Sequence, residues 1–101
     1  KIDTYAATLS LVRLGMTIEQ IAQERTLKAE TIISHLETLK ERGEIQLKDI
    51  EKMIPAAMRK KLSPINAAFK KHKTRVLKPI FKALKGAHSF ENIRLARLLL
   101  D

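Results

Sequence analysis

Ten cations, Arg59, Lys60, Lys61, Lys70, Lys71, Lys73, Arg75, Lys78, Lys82 and Lys85, fall between Lys52 and Glu91, and no Asp or Glu falls among them. Ammonium and guanidinium groups at that density do one kind of chemistry well. They neutralise a polyanion and displace its counterions, and nucleic acid is the commonest polyanion. Residues 1–52 carry 8 Lys/Arg and 9 Asp/Glu, net −1, whereas residues 53–101 carry 12 and 2, net +10. The chain's +9 is therefore a property of one half. A charge sorted this way is a surface field and does not choose the fold. The competing reading is a well-solvated lysine-rich surface whose clusters point in different directions.

Other chemistries find little material. The chain has no cysteine, so a disulfide framework and a thiolate metal site are excluded. That composition fits a reducing, cytoplasmic setting. His35, His72 and His88 are nowhere four residues apart, and no carboxylate pair lies beside them, so no metal is expected. His35 falls at the edge of an apolar helix face and reads as a core or capping group. His72 falls beside Phe69 and Ile65 and reads the same way, and His88 falls in a loop. No phosphate-binding glycine loop, activated nucleophile or apolar carboxylate pair is present. The chain is expected to be non-catalytic and to need no cofactor. No apolar run approaches the roughly 20 residues that span a bilayer, so no membrane partner is expected. The first residue is Lys1 rather than Met, which reads as a piece of a longer protein.

The elements that must position these groups are helices. The chain's 101 residues suit one domain, and 45% hydrophobic residues with only four aromatics give it an aliphatic core. The reading is an all-α, single helical domain over 1–101, with a helix-turn-helix core over 1–48 and a basic extension of short helices over 49–101. Residues 4–14 form a first helix with Ala6, Leu9 and Val12 inward and Gly15 as its left-handed stop. Thr17 and Gln20 form a capping box that opens a second helix, with Ile18, Ile21 and Ala22 inward. A tight turn at Arg25–Leu27 leads to a third helix from about Lys28 to Arg42. Residues 44–47 read as an extended linker and offer no hairpin, so no wing is expected. Ile50–Ile54 makes a turn or two of helix. Helices follow over 55–62 and, with Ser63 as cap and Pro64 at the first position, over 64–73. The next runs from about Val76 to Lys85, with Val76, Leu77, Ile80 and Leu84 inward, and the last over 90–100, capped by Ser89. That last helix is apolar on nearly all sides, so it is either buried or half of an interface. Tyr5, Phe69, Phe81 and Phe90 all read as core, which argues for backbone contact to duplex or junction DNA without base stacking.

Residues 16–36 have helix-turn-helix spacing: Ala22 fits where two helices touch, Leu27 plugs the turn, and Ile32 and Leu36 anchor the third helix. The outward face of that helix is Glu30, Ser34, Glu37 and Glu41, flanked by Thr31 and Thr38. Lys28, Thr31 and Ser34 are the candidate contacts there. Three carboxylates on the face that would enter a groove argue against base reading and leave protein docking open. The stronger candidates for phosphate contact are Lys78, Lys82 and Lys85 on one stripe, extended by Arg75, with Lys70 and Lys71 on the preceding helix and Arg59, Lys60 and Lys61 as a further cluster.

Gly15, Ile21, Ala22, Thr31 and His35 stand at the spacing of the LuxR-type helix-turn-helix, which this segment resembles over about twenty residues. A second resemblance covers nearly the whole chain. The segments TYAATLSLVRLG, GMTIEQIA, TIISHL, VLKPIFKAL and SFENIRLA, in that order, resemble the C-terminal helix-turn-helix domain of bacterial RecQ-type DNA helicases. The resemblance implies an accessory domain joined to a helicase motor, or a partner protein built like one.

The expected function is accordingly an accessory DNA-binding domain of a RecQ-type helicase that holds phosphates with little sequence preference. The alternatives are a docking module for a protein partner and a transcription regulator's DNA-binding domain.

Overall fold

The computed structural model describes residues 3–100. Seven helices follow one another: α1 (Thr4–Arg13), α2 (Ile18–Arg25), α3 (Ala29–Glu41), α4 (Leu47–Met53), α5 (Ala56–His72), α6 (Leu77–Ala83) and α7 (Phe90–Leu98). No strand, and so no wing, occurs among the described residues. The helices form two compact units that divide between Pro55 and Ala56. The sequence reading places its subdivision earlier, after residue 48.

In the first unit, α1, α2 and α3 pack pairwise. The Asp3 carboxylate caps α1 by accepting from the Tyr5 N–H at 2.9 Å. The α2 capping box forms as its spacing predicts: Thr17 N–H donates to Gln20 Oε1 at 2.8 Å, and Gln20 N–H donates to Thr17 Oγ1 at 3.2 Å. Thr26 then takes a left-handed conformation, φ 55°, and Leu27 N–H closes the turn onto the Ala22 carbonyl at 2.9 Å. Ile21, Ile32 and Leu36 are fully buried, with Ile33, Leu39, Ile18, Leu9 and Val12 around them. Ala6, expected inward, is exposed. The buried Thr8 rotates the inner face of α1 toward residues 8, 9 and 12, and at about 100° per residue this leaves Ala6 well outside it.

Two boundaries differ from the sequence reading. Helix α4 begins at Leu47, inside the segment read as an extended linker. The cause is Asp49, whose carboxylate accepts the Gln46 N–H at 2.8 Å and so ties down the first turn. The larger difference is α5, one helix of 17 residues with Pro64 inside it where two helices are expected. Leu62, Ile65 and Phe69 are all buried, at the i, i+3, i+7 spacing of one continuous stripe that crosses the proline. Ser63 and Pro64 are exposed, so the Lys60 carbonyl that Pro64 cannot serve faces the solvent side of the helix. Burial on one face outweighs a missing hydrogen bond on the other.

That arrangement predicts that Pro64→Ala stabilises the protein. The change restores an N–H donor and removes a ring clash, while it loosens the unfolded chain by less, so the expected gain is about 1–2 kcal/mol. Urea unfolding of the two proteins reads it directly. A loss of stability would mean that the helix needs the proline's bend to bury both halves of its stripe.

In the second unit α5, α6 and α7 pack against one another. Helix α6 is shorter at both ends than expected, Leu77–Ala83, with Pro79 in its first turn where the missing N–H is harmless. Ile80 is its one fully buried side chain. Val76, expected inward, is 59% exposed because it is the extended residue before the helix. Ser89 caps α7 by accepting the Asn92 N–H at 3.1 Å. Ile93, Leu95, Ala96 and Leu98 are buried, so the apolar circumference of α7 is largely interior.

Candidate nucleic-acid interface

The division into compact units coincides with the division of charge. Residues 53–55 are uncharged, so the unit from Ala56 onward holds all twelve late cations and the chain's +10 half. Among its described residues the one carboxylate is that of Glu91. Internal pairing cannot absorb such an excess, and the field must extend into solvent.

Every candidate cation of this unit, Arg59, Lys60, Lys61, Lys70, Lys71, Arg75, Lys78, Lys82 and Lys85, is exposed. Their directions follow from the helices that carry them. At about 100° per residue, Arg59, Lys60, Lys70 and Lys71 share an arc of α5 away from the Leu62–Ile65–Phe69 stripe. Lys61 falls on the opposite flank of that arc and does not join the group. Lys60 and Lys71 lie about 16 Å apart along the axis, comparable with the roughly 12 Å width of a major groove. Between them the outer surface is small, Ser63, Pro64 and Ala67. On α6, Lys78 and Lys82 are four residues apart and face away from Ile80. Lys85 follows in the turn, left-handed at φ 55°.

A concavity of about 450 Å³ lies at the α5–α6 turn, lined by Lys70, Lys73, Thr74 and Arg75 over Phe69 and Leu100. Lys73 is left-handed there, φ 50°, and its N–H closes on the Lys70 carbonyl. Thr74 Oγ1 accepts the Val76 N–H at 3.1 Å, which leaves its hydroxyl hydrogen to donate outward. Arg97 braces the turn from α7 by donating to the Arg75 carbonyl at 3.1 Å. Three cations and a hydroxyl converging on one concave turn suit an anionic oxygen. Lys73 is counted in the cation run but not among the candidate contacts, and Thr74 carries no sequence signal, since only the left-handed residue brings them round. His72, the last residue of α5, is exposed because the chain turns away immediately after it.

The helix-turn-helix unit presents a different surface. Lys28, exposed, is the N-cap position of α3, and Thr31 and Ser34 are half-buried. Glu30 and Glu41 are exposed and Glu37 is half-buried, so the outer face of α3 is acidic as its sequence predicts. Behind that face lies a polar network. His35 is buried, and its Nδ1 meets Thr8 Oγ1 at 2.8 Å. Arg25 Nη1 donates to the same Thr8 oxygen and to the Thr4 carbonyl at 2.9 Å, and Nη2 donates to Thr4 Oγ1 at 3.0 Å. Arg25 Nη1 also stands 3.5 Å from His35 Nδ1, and an arginine can only donate, which favours Nδ1 as an acceptor, the imidazole proton on Nε2 and the Thr8 hydroxyl hydrogen directed at Nδ1. Burial, and the Arg25 guanidinium beside it, hold the His35 pKa below the ordinary histidine value. The Tyr5 ring lies edge-on to His35, with centroids 5.0 Å apart, and the Arg42 guanidinium sits 4.7 Å from the Tyr5 centroid. The histidine is thus a structural tie among α1, α2 and α3. No group of three or more His, Asp or Glu suited to a metal occurs among the described residues. No helix among them is long and apolar enough to cross a membrane.

Neither curated proteins nor solved structures give a significant match to this chain. A family model described as a helix-turn-helix domain, however, matches residues 4–97, from the first residue of α1 almost to the end of α7. With both the capped α2–turn–α3 geometry and nearly the full chain inside that match, the protein belongs to the helix-turn-helix domain family.

Proposed function

We propose that this chain is an accessory DNA-binding domain whose second unit holds the phosphate backbone with little sequence preference. The observation that carries the reading is the coincidence of a compact unit with a +10 charge whose candidate cations are exposed, Lys70, Lys73 and Arg75 among them lining one concave turn. Membership of the helix-turn-helix family supports DNA as the polyanion. The five ordered segments that resemble the C-terminal domain of RecQ-type helicases favour a helicase motor as the parent, with the domain adding affinity to the motor's own grip on DNA.

A second reading is favoured by a specific feature, the acidic outer face of α3, with Glu30 and Glu41 exposed. On that reading the helix-turn-helix unit docks a basic protein partner. A sequence-reading regulator is the weakest of the three, since that same face would meet phosphates and base edges with carboxylates.

The test is a titration of unrelated duplex sequences from low to moderate salt. Four to six phosphate contacts predict a log–log slope of about −4 to −5, the same for every sequence. A shallow slope would favour docking, and one sequence standing well above the rest would favour a regulator.

A further inference from the structure

Phe81 and Phe90 lie face to face, with ring centroids 4.4 Å apart and planes 6° from parallel. Both residues read as core from sequence, and the structure corrects one of them: Phe90 is 42% exposed. One face of its ring is covered by Phe81, and a large part of the side chain stays open to water. What sets Phe90 apart from the other exposed apolar residues, Leu14 and Val76, is a flat aromatic ring backed by a second ring in a strongly cationic unit, a combination suited to a flat apolar group that carries negative charge.

The pair is held rather than loose. Phe81 lies in α6, and the turn after that helix closes on it, with Gly86 N–H donating to the Phe81 carbonyl at 3.1 Å. The Gly86 backbone runs along the Phe81 ring, where an added Cβ would sit 3.6 Å from its Cζ. Phe90 is the first residue of α7 and follows its Ser89 cap. Two lysines are local in the chain: Lys82 is next to Phe81 in α6, and Lys85 lies in the segment that joins α6 to α7. Glu91 follows Phe90 and sits about 100° round the helix from it.

We propose that Phe90, backed by Phe81, is a stacking platform for an unpaired base, with Lys82 and Lys85 on the flanking phosphates. The inference rests on the nucleic-acid reading above and extends it to the class of DNA. The unit would prefer forks, overhangs and single strands to a closed duplex. An aromatic face accepts any base, so the platform adds no sequence preference. A protein partner covering the same ring would have to bring an anionic surround to offset the lysines. A nucleotide supplies both parts in one molecule, a flat apolar base and a phosphate.

The experiment measures binding of the full chain to a blunt duplex, a fork and a single strand, for wild type, Phe90→Leu and Phe90→Trp, with thermal melting as the check of folding. Leucine keeps apolar bulk and loses the aromatic face. Phe90→Leu is expected to weaken fork and single-strand binding by about fivefold to a hundredfold, in line with one lost base stack, and to leave the blunt duplex within about twofold. Phe90→Trp is expected to retain wild-type preference. The chain has no tryptophan, so the new indole's fluorescence should be quenched by the single strand and not by the duplex. If Phe90→Leu binds all three DNAs as wild type does, the platform is wrong and the backbone reading survives. If wild type binds none of them, both readings fall. Should Phe90→Leu fail to fold, the Phe90→Trp fluorescence decides, and an indole unmoved by the single strand overturns the proposal.

Discussion

Changing Lys70, Lys73 and Arg75 together to Glu is expected to lower duplex affinity by about a hundredfold at moderate salt and to flatten the salt slope by about 3. These three side chains line one concave turn, so they are the cations most able to engage the same stretch of backbone. Reversing them cuts the second unit's net charge from +10 to +4 and puts three carboxylates where phosphates would lie. The fold should survive the change. All three residues are exposed, and the brace from Arg97 reaches the Arg75 carbonyl, which substitution leaves in place. The neutral version, with Gln in place of Glu, should show a smaller loss of the same sign. Glu30→Lys with Glu41→Lys is the companion measurement. If α3 lies against DNA, removing its carboxylates should strengthen binding far more than a general rise in charge would. On the proposed reading it should help only modestly. Unchanged binding in the triple variant would leave docking as the better account.

How much of this was legible beforehand depends on whether the deciding interaction is local. The α2 capping box involves two residues three apart, and both its hydrogen bonds form as the spacing predicts. The turn at Arg25–Leu27 and the acidic face of α3 were legible for the same reason. Helix α5 was not. Ser63–Pro64 carries the local signal of a helix start, and burial of Leu62, Ile65 and Phe69 against other helices overrides it. The sign and location of the charge are compositional and were legible. Which cations converge was not, because it turns on Lys73 adopting φ 50° and on Arg97 bracing that turn from another helix. Phe90 reads as core because its period matches a core position, but its neighbour Phe81 stacks on one face of the ring and leaves the side chain 42% exposed. His35 reads as a core or capping group and is buried, yet nothing in the sequence pairs it with Thr8, 27 residues away.

That pairing gives the largest expected effect on stability in the helix-turn-helix unit. Thr8→Val keeps the shape of a fully buried side chain and removes its hydroxyl. His35 Nδ1 then loses its donor in a buried setting, and one Arg25 hydrogen bond loses its acceptor. The expected cost is about 1–3 kcal/mol, and a loss of 2 kcal/mol would lower Tm by about 8–16 °C in a chain of this size. The same network makes stability depend on pH in a definite direction. The folded-state pKa of His35 is lowered, first by burial and then by Arg25, while in the unfolded chain the residue titrates near the ordinary value of about 6.5. Between those two values the unfolded state binds more protons than the folded one, so the stability of folding rises with pH across that window. The contribution is fully present above about pH 6.5 and is lost as pH falls through that value toward the folded pKa. Physically, a proton on Nδ1 would face the Thr8 hydroxyl's hydrogen and a guanidinium 3.5 Å away. His35→Asn places an amide oxygen where Nδ1 accepts and cannot take up a proton, so its melting temperature should fall less than wild type between pH 7 and pH 5. Melting curves across that range for the two proteins isolate residue 35 from every other titrating group. Parallel profiles would show that His35 is protonated in the fold at no cost, and the proposed order of donors in the network would be wrong.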